Sequence, residues 1–139
     1  MSSFEYHRPT SVADAVAALG SGDEATVVAG GMTLLPTIKQ RLADPSDLVD
    51  LSGVGEMKGI SEEGGAIVIG AMTTHGEVAS NPVVQAKIPA LASLAGNIGD
   101  PQVRNRGTIG GSIANNDPAA CYPAGLMAMN ATVHTNKRS

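Results

Sequence analysis

The sequence predicts an α+β fold that begins with a parallel strand–helix–strand unit and continues with a β-hairpin and several helices. Two observations carry this prediction. Residues 25–52 place two short apolar runs on either side of a helical pattern, and neighbouring strands joined through a helix are parallel. Residues 57–71 place two strand-like runs around Glu63-Gly64-Gly65, which is typical of an antiparallel hairpin.

The first half of the chain carries clear punctuation for each element. Capping residues precede the first helix, and Asp44-Pro45 breaks the second one. The first predicted elements are a helix capped by Thr10 or Ser11 and ended by Gly20 and Gly22, and a strand over 25–30. A helix over 34–43, with Pro36 in its first turn, and a strand over 47–52 follow. The apolar stripe of this second helix consists of Leu34, Leu35, Ile38 and Leu42.

Sequence signals also mark helices and strands in the second half of the chain, and they become weaker towards its end. After the hairpin, residues 74–82 suit a short helix, and Asn81-Pro82 reads as the N-cap and first residue of another. A helix over 88–99 stops at Gly99-Asp100-Pro101. Residues 106–115 favour neither helix nor strand. Asp117-Pro118 is predicted to start a helix that runs to residue 130, and residues 131–135 are a strand candidate.

The composition limits the class of function. The chain has 139 residues, enough for one modest domain, and its 42% hydrophobic and 16% charged residues argue against disorder. A net charge of −4 without a Lys/Arg cluster argues against nucleic acid binding. One cysteine, and no histidine pair at metal spacing, argue against a disulfide scaffold or metal site. No signal peptide or apolar run of about 20 residues is present, so we expect a cytoplasmic protein without a transmembrane segment.

Two glycine-rich stretches are the candidate binding loops. In "VVAGGMTLLPTIKQRL", Gly30-Gly31 lies between a strand and a helix N-terminus, where free amides favour an anion. It matches neither a Walker A loop nor GxGxxG, so a plain tight turn stays open. In "RGTIGGSIANNDP", Thr108 offers a hydroxyl and Gly110-Gly111 bare backbone, so the two loops are able to clamp a diphosphate. Asp117 either binds a sugar hydroxyl or caps the following helix.

The sequence gives weaker support for a binding role of the other polar side chains. His75 is either near a ligand or a capping or surface residue, and Arg104 and Arg106 either attract phosphates or are simply exposed. Cys121 is expected to be a partly buried, inert thiol. Met127 and Met129 are expected to fill the core. No Ser/His/Asp set or carboxylate pair emerges, so any chemistry must come from a cofactor.

Three segments, "VVAGGMTLLPTIKQRLADPSDLVDL", "IVIGAMTTHGEVASNP" and "GDPQVRNRGTIGGSIANNDPAACYPA", resemble the FAD-binding medium subunit of the molybdenum hydroxylases, the family of xanthine and carbon monoxide dehydrogenases. The resemblance covers almost the whole chain but only about half of a family subunit. It implies a PCMH-type FAD-binding fold, with a small α/β lobe over residues 1–54 and, over 55–139, an incomplete second lobe with a mostly antiparallel sheet.

The resemblance also implies which residues contact FAD. The two glycine loops would hold the diphosphate, Ile98 would approach the flavin ring, and two polar residues would lie near the ribityl and adenosine parts. Cys121-Tyr122 departs from the family's more common aspartate and apolar pair, which removes one carboxylate. The implied cofactor-binding residues are Ala29, Gly30, Gly31, Met32, Thr33, Leu34, Ile98, Thr108, Ile109, Gly110, Gly111, Asn115 and Asp117, with no catalytic or metal-binding residue.

The implied function is electron relay. A large molybdenum subunit with a molybdopterin cofactor oxidises the substrate, a small subunit carries two [2Fe-2S] clusters, and FAD on this subunit passes electrons to NAD, a quinone or another acceptor. Two alternatives are a truncated folding or subunit-docking module that holds no flavin by itself, and a different nucleotide-binding enzyme. Gly31→Val and Gly110→Val are each expected to abolish FAD binding and leave the fold largely intact.

Overall fold

The computed structural model describes residues 3–137, and its first part is a parallel three-stranded sheet. The strands are β1 (Glu5–His7), β2 (Ala25–Val28) and β3 (Asp47–Asp50), in the order β1-β3-β2. Both neighbours of β3 run parallel to it, which confirms the predicted strand–helix–strand unit. Strand β1 was not predicted, because three residues without apolar alternation give no local signal and only pairing with β3 makes them a strand.

The two helices of this part follow their caps. Helix α1 (Val12–Ser21) begins after Ser11, whose Oγ accepts a hydrogen bond from the Asp14 amide, as predicted; it ends at Gly22, so Gly20 lies inside it. Helix α2 (Leu34–Lys39) is shorter than predicted, because Arg41 takes a left-handed φ of 59°. Leu42 then falls beyond the helix and is 74% exposed.

A β-hairpin follows two short 3-10 turns at residues 51–53 and 55–57. Strands β4 (Ile60–Glu63) and β5 (Ala66–Ile69) pair antiparallel, with Gly64 and Gly65 at positive φ in the turn. The predicted hairpin and the α+β class are therefore confirmed. The two sheets fall on either side of residue 54, but the division into lobes at that residue stays a prediction.

Six helices complete the described chain. Asn81 caps α4 through bonds from the Val83 and Val84 amides, as predicted. The helices are α3 (His75–Ser80), α4 (Pro82–Lys87), α5 (Pro89–Gly96), α6 (Pro101–Arg106), α7 (Ile109–Asn115) and α8 (Cys121–Ala128).

Three predictions for this region were wrong. Residues 109–115 are helical, because the Thr108 side chain caps them; residues 101–106, for which no element was predicted, form a helix capped by Asp100. Helix α8 begins at Cys121 instead of residue 118, because Asp117 Oδ1 accepts from the Ala119 amide within a turn. Residues 131–135 are irregular and do not form a strand.

The apolar side chains form a large cluster under the helices and a small one beside the parallel sheet. Met129 packs against the large cluster as predicted, whereas Met127 is 83% exposed and does not fill the core. Cys121 is exposed, so the prediction that it is partly buried was wrong. No helix within residues 3–137 has the length and apolar character needed to cross a membrane. The large cluster is built on Val78, Val84, Leu91, Ala92, Ala95, Ile109 and Tyr122, and the small one on Val28, Ile38 and Leu48.

Candidate functional site

The two glycine loops, 29–33 and 108–111, lie against each other. A Cβ atom added at Gly30 would overlap the carbonyl oxygen of Arg106 and lie 2.6 Å from its carbonyl carbon. A Cβ added at Gly111 would lie 3.5 Å from that of Ala29. Position 30 has no room for a side chain, because the backbone that enters the second loop passes directly over Gly30.

The first loop leaves its backbone donors unused. Within the described residues, the amides of Gly30, Gly31, Met32 and Thr33 donate no hydrogen bond to the protein. Gly31 has a φ of +78°, which turns the chain sharply before α2. Unpaired backbone N–H groups gathered in a turn form a concavity that binds anions.

The second loop differs, because three of its four amides already have protein acceptors. Ile109 N donates to the Thr73 carbonyl at 3.1 Å, Gly110 N to that of Ala71 at 2.8 Å, and Gly111 N to Thr108 Oγ1 at 3.1 Å. These bonds join the start of α7 to the segment that follows the hairpin. Thr108 is the loop residue that lines the neighbouring cleft.

The cleft lies where the loops meet and has a volume of about 170 Å³. Three charged residues line it. Lys58 Nζ donates to the Ser52 carbonyl at 2.6 Å, and the Arg106 side chain has no hydrogen bond or ion pair with any residue in 3–137. The lining residues are Ala29, Gly30, Ser52, Lys58, Met72, Thr74, Glu77, Asn105, Arg106 and Thr108.

Glu77, the one carboxylate among the lining residues, already accepts hydrogen bonds from Thr74. Glu77 Oε2 accepts from the Thr74 amide at 2.7 Å and from Thr74 Oγ1 at 2.9 Å, while the Glu77 amide donates back to that hydroxyl. This capping box starts α3 and reduces the repulsion that Glu77 would exert on an anion. A cleft with two cations and one engaged carboxylate favours an anionic ligand, although the whole chain is acidic.

The structure gathers some of the predicted site residues and separates others. Ala29, Gly30 and Thr108 line the cleft. Asn115 and Asp117 are exposed and do not line it, and Ile98 packs against the large core cluster. The other predicted residues do not line the cleft: Gly31, Met32, Thr33, Ile109, Gly110 and Gly111 belong to the two loops, and Leu34 begins α2.

Six lining residues were missed by sequence reasoning. The Thr74-x-x-Glu77 spacing is a readable capping box and was the one local signal for two of them. Tertiary contacts alone bring the other four to the cleft: Ser52, Lys58, Met72 and Asn105. Arg104, by contrast, is structural, because its Nη1 donates to the carbonyls of Ile98 and Gly99 at 3.1 and 3.0 Å.

His75 supports the second loop from inside. It is buried, which contradicts a surface role, and its amide donates to the Gly107 carbonyl at 3.0 Å. Its ring lies 5.2 Å from that of Tyr122, centroid to centroid. Among residues 3–137, neither His75 Nδ1 nor the Tyr122 hydroxyl has a hydrogen-bond partner. Burial lowers the pKa of His75 and raises that of Tyr122.

The buried imidazole predicts a loss of stability in mild acid. Because the pKa of His75 in the folded state lies below the ordinary 6.5, the unfolded chain binds more protons as the pH falls through that value. The free energy of unfolding is therefore complete above about pH 6.5 and declines below it. Urea titrations between about pH 7.5 and 5 measure the decline, and His75→Phe should flatten it. His134→Gln should leave it unchanged, since His134 is exposed; an equal slope in His75→Phe would contradict the assignment.

Comparison with known proteins identifies the family to which this chain is similar. The sequence matches the family described as the FAD binding domain in molybdopterin dehydrogenase over residues 2–139. It is 52% identical to the carbon monoxide dehydrogenase medium chain of Hydrogenophaga pseudoflava over 129 residues, and 38% identical to the nicotine 6-hydroxylase medium subunit of Paenarthrobacter nicotinovorans over 128. Each match covers 92% of this chain and 45% of the relative.

A solved structure has the same fold. It is the carbon monoxide dehydrogenase of Hydrogenophaga pseudoflava that lacks the Mo-pyranopterin moiety of its cofactor. The superposition has a TM-score of 0.89 at 52% identity and covers 91% of this chain and 45% of the other. The chain thus spans about half the length of the relatives it matches.

Proposed function

Because the chain belongs to the family of FAD-binding domains of molybdopterin dehydrogenases, we propose that it holds the FAD diphosphate in the cleft between its glycine loops. The observation that carries the proposal is the run of unused amides at Gly30, Gly31, Met32 and Thr33, of which Gly30 lines the cleft and lies against the Arg106 backbone. A diphosphate needs several donors at once, and a backbone turn supplies them without side-chain ordering.

The charges of the cleft fit this ligand. The Arg106 side chain is without a partner in residues 3–137, and Lys58 has donor capacity beyond its one bond to Ser52. The two cations match the two negative charges of a diphosphate. We propose that Thr108, which also lines the cleft, donates its hydroxyl proton to the diphosphate, since its oxygen already accepts from the Gly111 amide.

The size of the cleft limits how much of an FAD molecule it can hold. Sites for whole ligands usually measure about 300–1,000 Å³, whereas this cleft measures about 170 Å³. It therefore suits the diphosphate and leaves the flavin and adenine ends to other surfaces. The implied contacts of Ile98, Asn115 and Asp117 with those ends stay predictions.

The proposed role is electron relay within a molybdenum hydroxylase. A bound flavin supplies reversible electron transfer, while the protein supplies binding, orientation and electrostatics. We propose that the partners are a large molybdopterin subunit and a small [2Fe-2S] subunit, with NAD or a quinone as acceptor. The relatives that support this are named as medium chains or subunits of dehydrogenases and hydroxylases.

The test is cofactor content. We expect the purified chain to show flavin absorption bands, or to acquire them on titration with FAD, and heat to release a molecule with the mass of FAD. A colourless chain that takes up no added FAD would overturn the proposal for this chain and favour the module without flavin. Uptake of FMN with equal affinity would show that the diphosphate is not recognised.

Arg106→Gln is expected to weaken FAD binding about tenfold and to reduce its dependence on salt. A charge-assisted hydrogen bond contributes about 1.5–3 kcal/mol, and solvent exposure of Arg106 places the effect near the lower value. Titration of FAD at low and high salt measures both quantities. Lys137→Gln is the matched control, because Lys137 is an exposed cation outside the cleft. Equal losses in both variants would mean that only the overall charge matters.

A further inference from the structure

The polar groups of Ser52, which lines the cleft, are held by three other residues. Ser52 belongs to the 3-10 turn at residues 51–53, and its amide donates to Asp50 Oδ1 at 2.8 Å. Its carbonyl accepts from Lys58 Nζ at 2.6 Å, and its Oγ accepts from Arg8 Nε at 3.1 Å. The backbone and the side chain of Ser52 are therefore both fixed by contacts within the protein.

The hydroxyl proton of Ser52 is the one donor that these contacts leave unused. A serine hydroxyl carries one proton and two lone pairs, and Arg8 occupies one of the lone pairs. Within residues 3–137, no acceptor receives the proton. A hydroxyl that accepts from a cation is a stronger donor, because linked hydrogen bonds polarise one another. Ser52 therefore offers the cleft a preorganised donor for an anion.

Ser52 and the first glycine loop occupy equivalent places on two neighbouring strands. Strand β2 ends at Val28, directly before Ala29 and Gly30, and β3 ends at Asp50, just before Ser52. The two strands pair in parallel, and both following segments contribute to the cleft. Ligands of open parallel sheets bind in the crevice outside the carboxyl ends of the strands. The position of Ser52 is therefore one at which a ligand contact is expected.

Arg8 contacts Ser52 from outside the cleft. Its side chain is exposed, and it is not among the lining residues. A Cβ atom added at Gly53 would lie 2.7 Å from the Pro9 carbonyl oxygen and 3.4 Å from Arg8 Cγ, so the chain after β1 packs closely against residues 51–53. This geometry lets Arg8 act on a ligand in the cleft through Ser52.

Asp50 offsets part of the Arg8 charge. Burial raises the pKa of Asp50, but hydrogen bonds from the Tyr6 hydroxyl and from Ser52, together with the charge of Arg8, outweigh burial and hold that pKa below its usual range. An ionised Asp50 beside Arg8 weakens the attraction that Arg8 would exert on a more distant anion. We therefore expect Arg8 to contribute to binding through the orientation of Ser52 more than through its charge.

We propose that Ser52 donates its hydroxyl proton to a diphosphate in the cleft and that Arg8 is the positioning residue that holds Ser52 for this bond. The inference rests on the proposed function, and it assigns to that site a donor outside both glycine loops. Ser52 and Thr108 are then the two hydroxyl donors of the site, each with its oxygen held by a protein donor. The hydroxyl of Thr74 is not available, because it donates to Glu77.

Titration of two ligands into the ¹⁵N-labelled chain tests this inference. The ligands are FAD and inorganic pyrophosphate, which presents a diphosphate without the flavin and adenosine ends. Ser52→Ala should weaken both affinities about tenfold, whereas Ser52→Thr, which keeps a hydroxyl, should stay within about twofold of the wild type. Ser93→Ala is the matched control, because Ser93 is exposed on α5 and does not line the cleft, and it should change neither affinity.

A double-mutant cycle tests the role of Arg8. Arg8→Met should weaken both affinities about fivefold in the wild type and cause no further loss in Ser52→Ala, because its effect passes through the Ser52 hydroxyl. An effect of charge alone would give the same loss in both backgrounds and would shrink at high salt. Equal losses in the two backgrounds would therefore overturn the positioning role. Arg8 and Ser52 lie outside both core clusters, so we expect all variants to fold, and urea unfolding checks this.

The two ligands separate this inference from the proposed function. A wild-type chain that binds pyrophosphate through Ser52 but takes up no FAD would overturn the proposed function and leave the inference standing. FAD binding that is equal in the wild type and Ser52→Ala would overturn the inference alone. Equal losses in Ser52→Ala and Ser52→Thr would do the same, because they would assign the effect to the turn instead of the hydroxyl. A chain that binds neither ligand would overturn both.

Discussion

Gly30→Ala is expected to lower the free energy of unfolding by about 3 kcal/mol and to displace the second glycine loop. The added Cβ would overlap the Arg106 carbonyl oxygen and lie 3.0 Å from the Cα of Gly107. These are backbone atoms, so no rotamer change relieves the clash. Because Arg106 belongs to the proposed diphosphate site, FAD binding should be lost together with stability. Urea unfolding followed by far-UV circular dichroism measures the first effect, and flavin titration the second.

Gly20→Ala is the matched control for this substitution. Gly20 lies inside α1, and an added Cβ would meet no atom within 4 Å. Alanine is favoured over glycine in helices by about 0.5–1 kcal/mol, so this variant should be more stable than the wild type. An unchanged unfolding midpoint in Gly30→Ala would show that the loops can separate without cost and that their contact does not hold the fold.

The same geometry corrects the expectation that valine at Gly31 or Gly110 would leave the fold largely intact. A Cβ at Gly110 would lie 2.5 Å from the Ala71 Cβ and 2.7 Å from its carbonyl oxygen. Gly31 combines a φ of +78° with the side chain of Leu35 at 2.8 Å. Both glycines are required by the fold itself, so loss of flavin in such variants would not identify a cofactor contact. Arg106→Gln separates binding from folding better.

The sequence alone was sufficient to predict the elements whose signals lie in neighbouring residues. The Ser11 cap, the Asn81-Pro82 start and the Gly64-Gly65 turn each depend on neighbouring residues, and each was predicted. Strand β1 was missed because its partner lies about 40 residues away. Helix α7 was missed because Gly110 and Gly111 lower helix propensity, while the Thr108 cap and packing against residues 71–73 restore the helix.

For the candidate site, the sequence indicated the glycines but not their neighbours. Ala29, Gly30 and Thr108 reach the cleft as predicted. Lys58 comes from the connection before the hairpin, and nothing local marks it as a ligand-binding residue. The sequence also could not distinguish unused amides from engaged ones, because the acceptors for Ile109 and Gly110 lie in the distant segment 71–73.

Tyr122→Ala is expected to produce a loss of about 3–5 kcal/mol, the usual cost of truncating a buried aromatic residue. Tyr122 is fully buried and belongs to the large core cluster beneath α8, which packs against α5 and α7. Tyr122→Phe keeps this packing and removes only the hydroxyl, which has no hydrogen-bond partner in the described part of the chain. It should therefore leave stability unchanged within about 1 kcal/mol, or raise it. Urea unfolding at pH above the titration of His75 compares the two variants.

Tyr6→Phe provides the control for hydroxyl removal, since Tyr6 is the only other tyrosine. Its hydroxyl donates to Asp50 Oδ2 at 2.5 Å but is exposed, so its loss should cost up to about 1 kcal/mol. The buried hydroxyl would then contribute less than the exposed one. A loss above about 1.5 kcal/mol for Tyr122→Phe would contradict an unpartnered hydroxyl. It would indicate instead a buried water molecule that joins this hydroxyl to His75 Nδ1, behind the loop that enters the proposed diphosphate site.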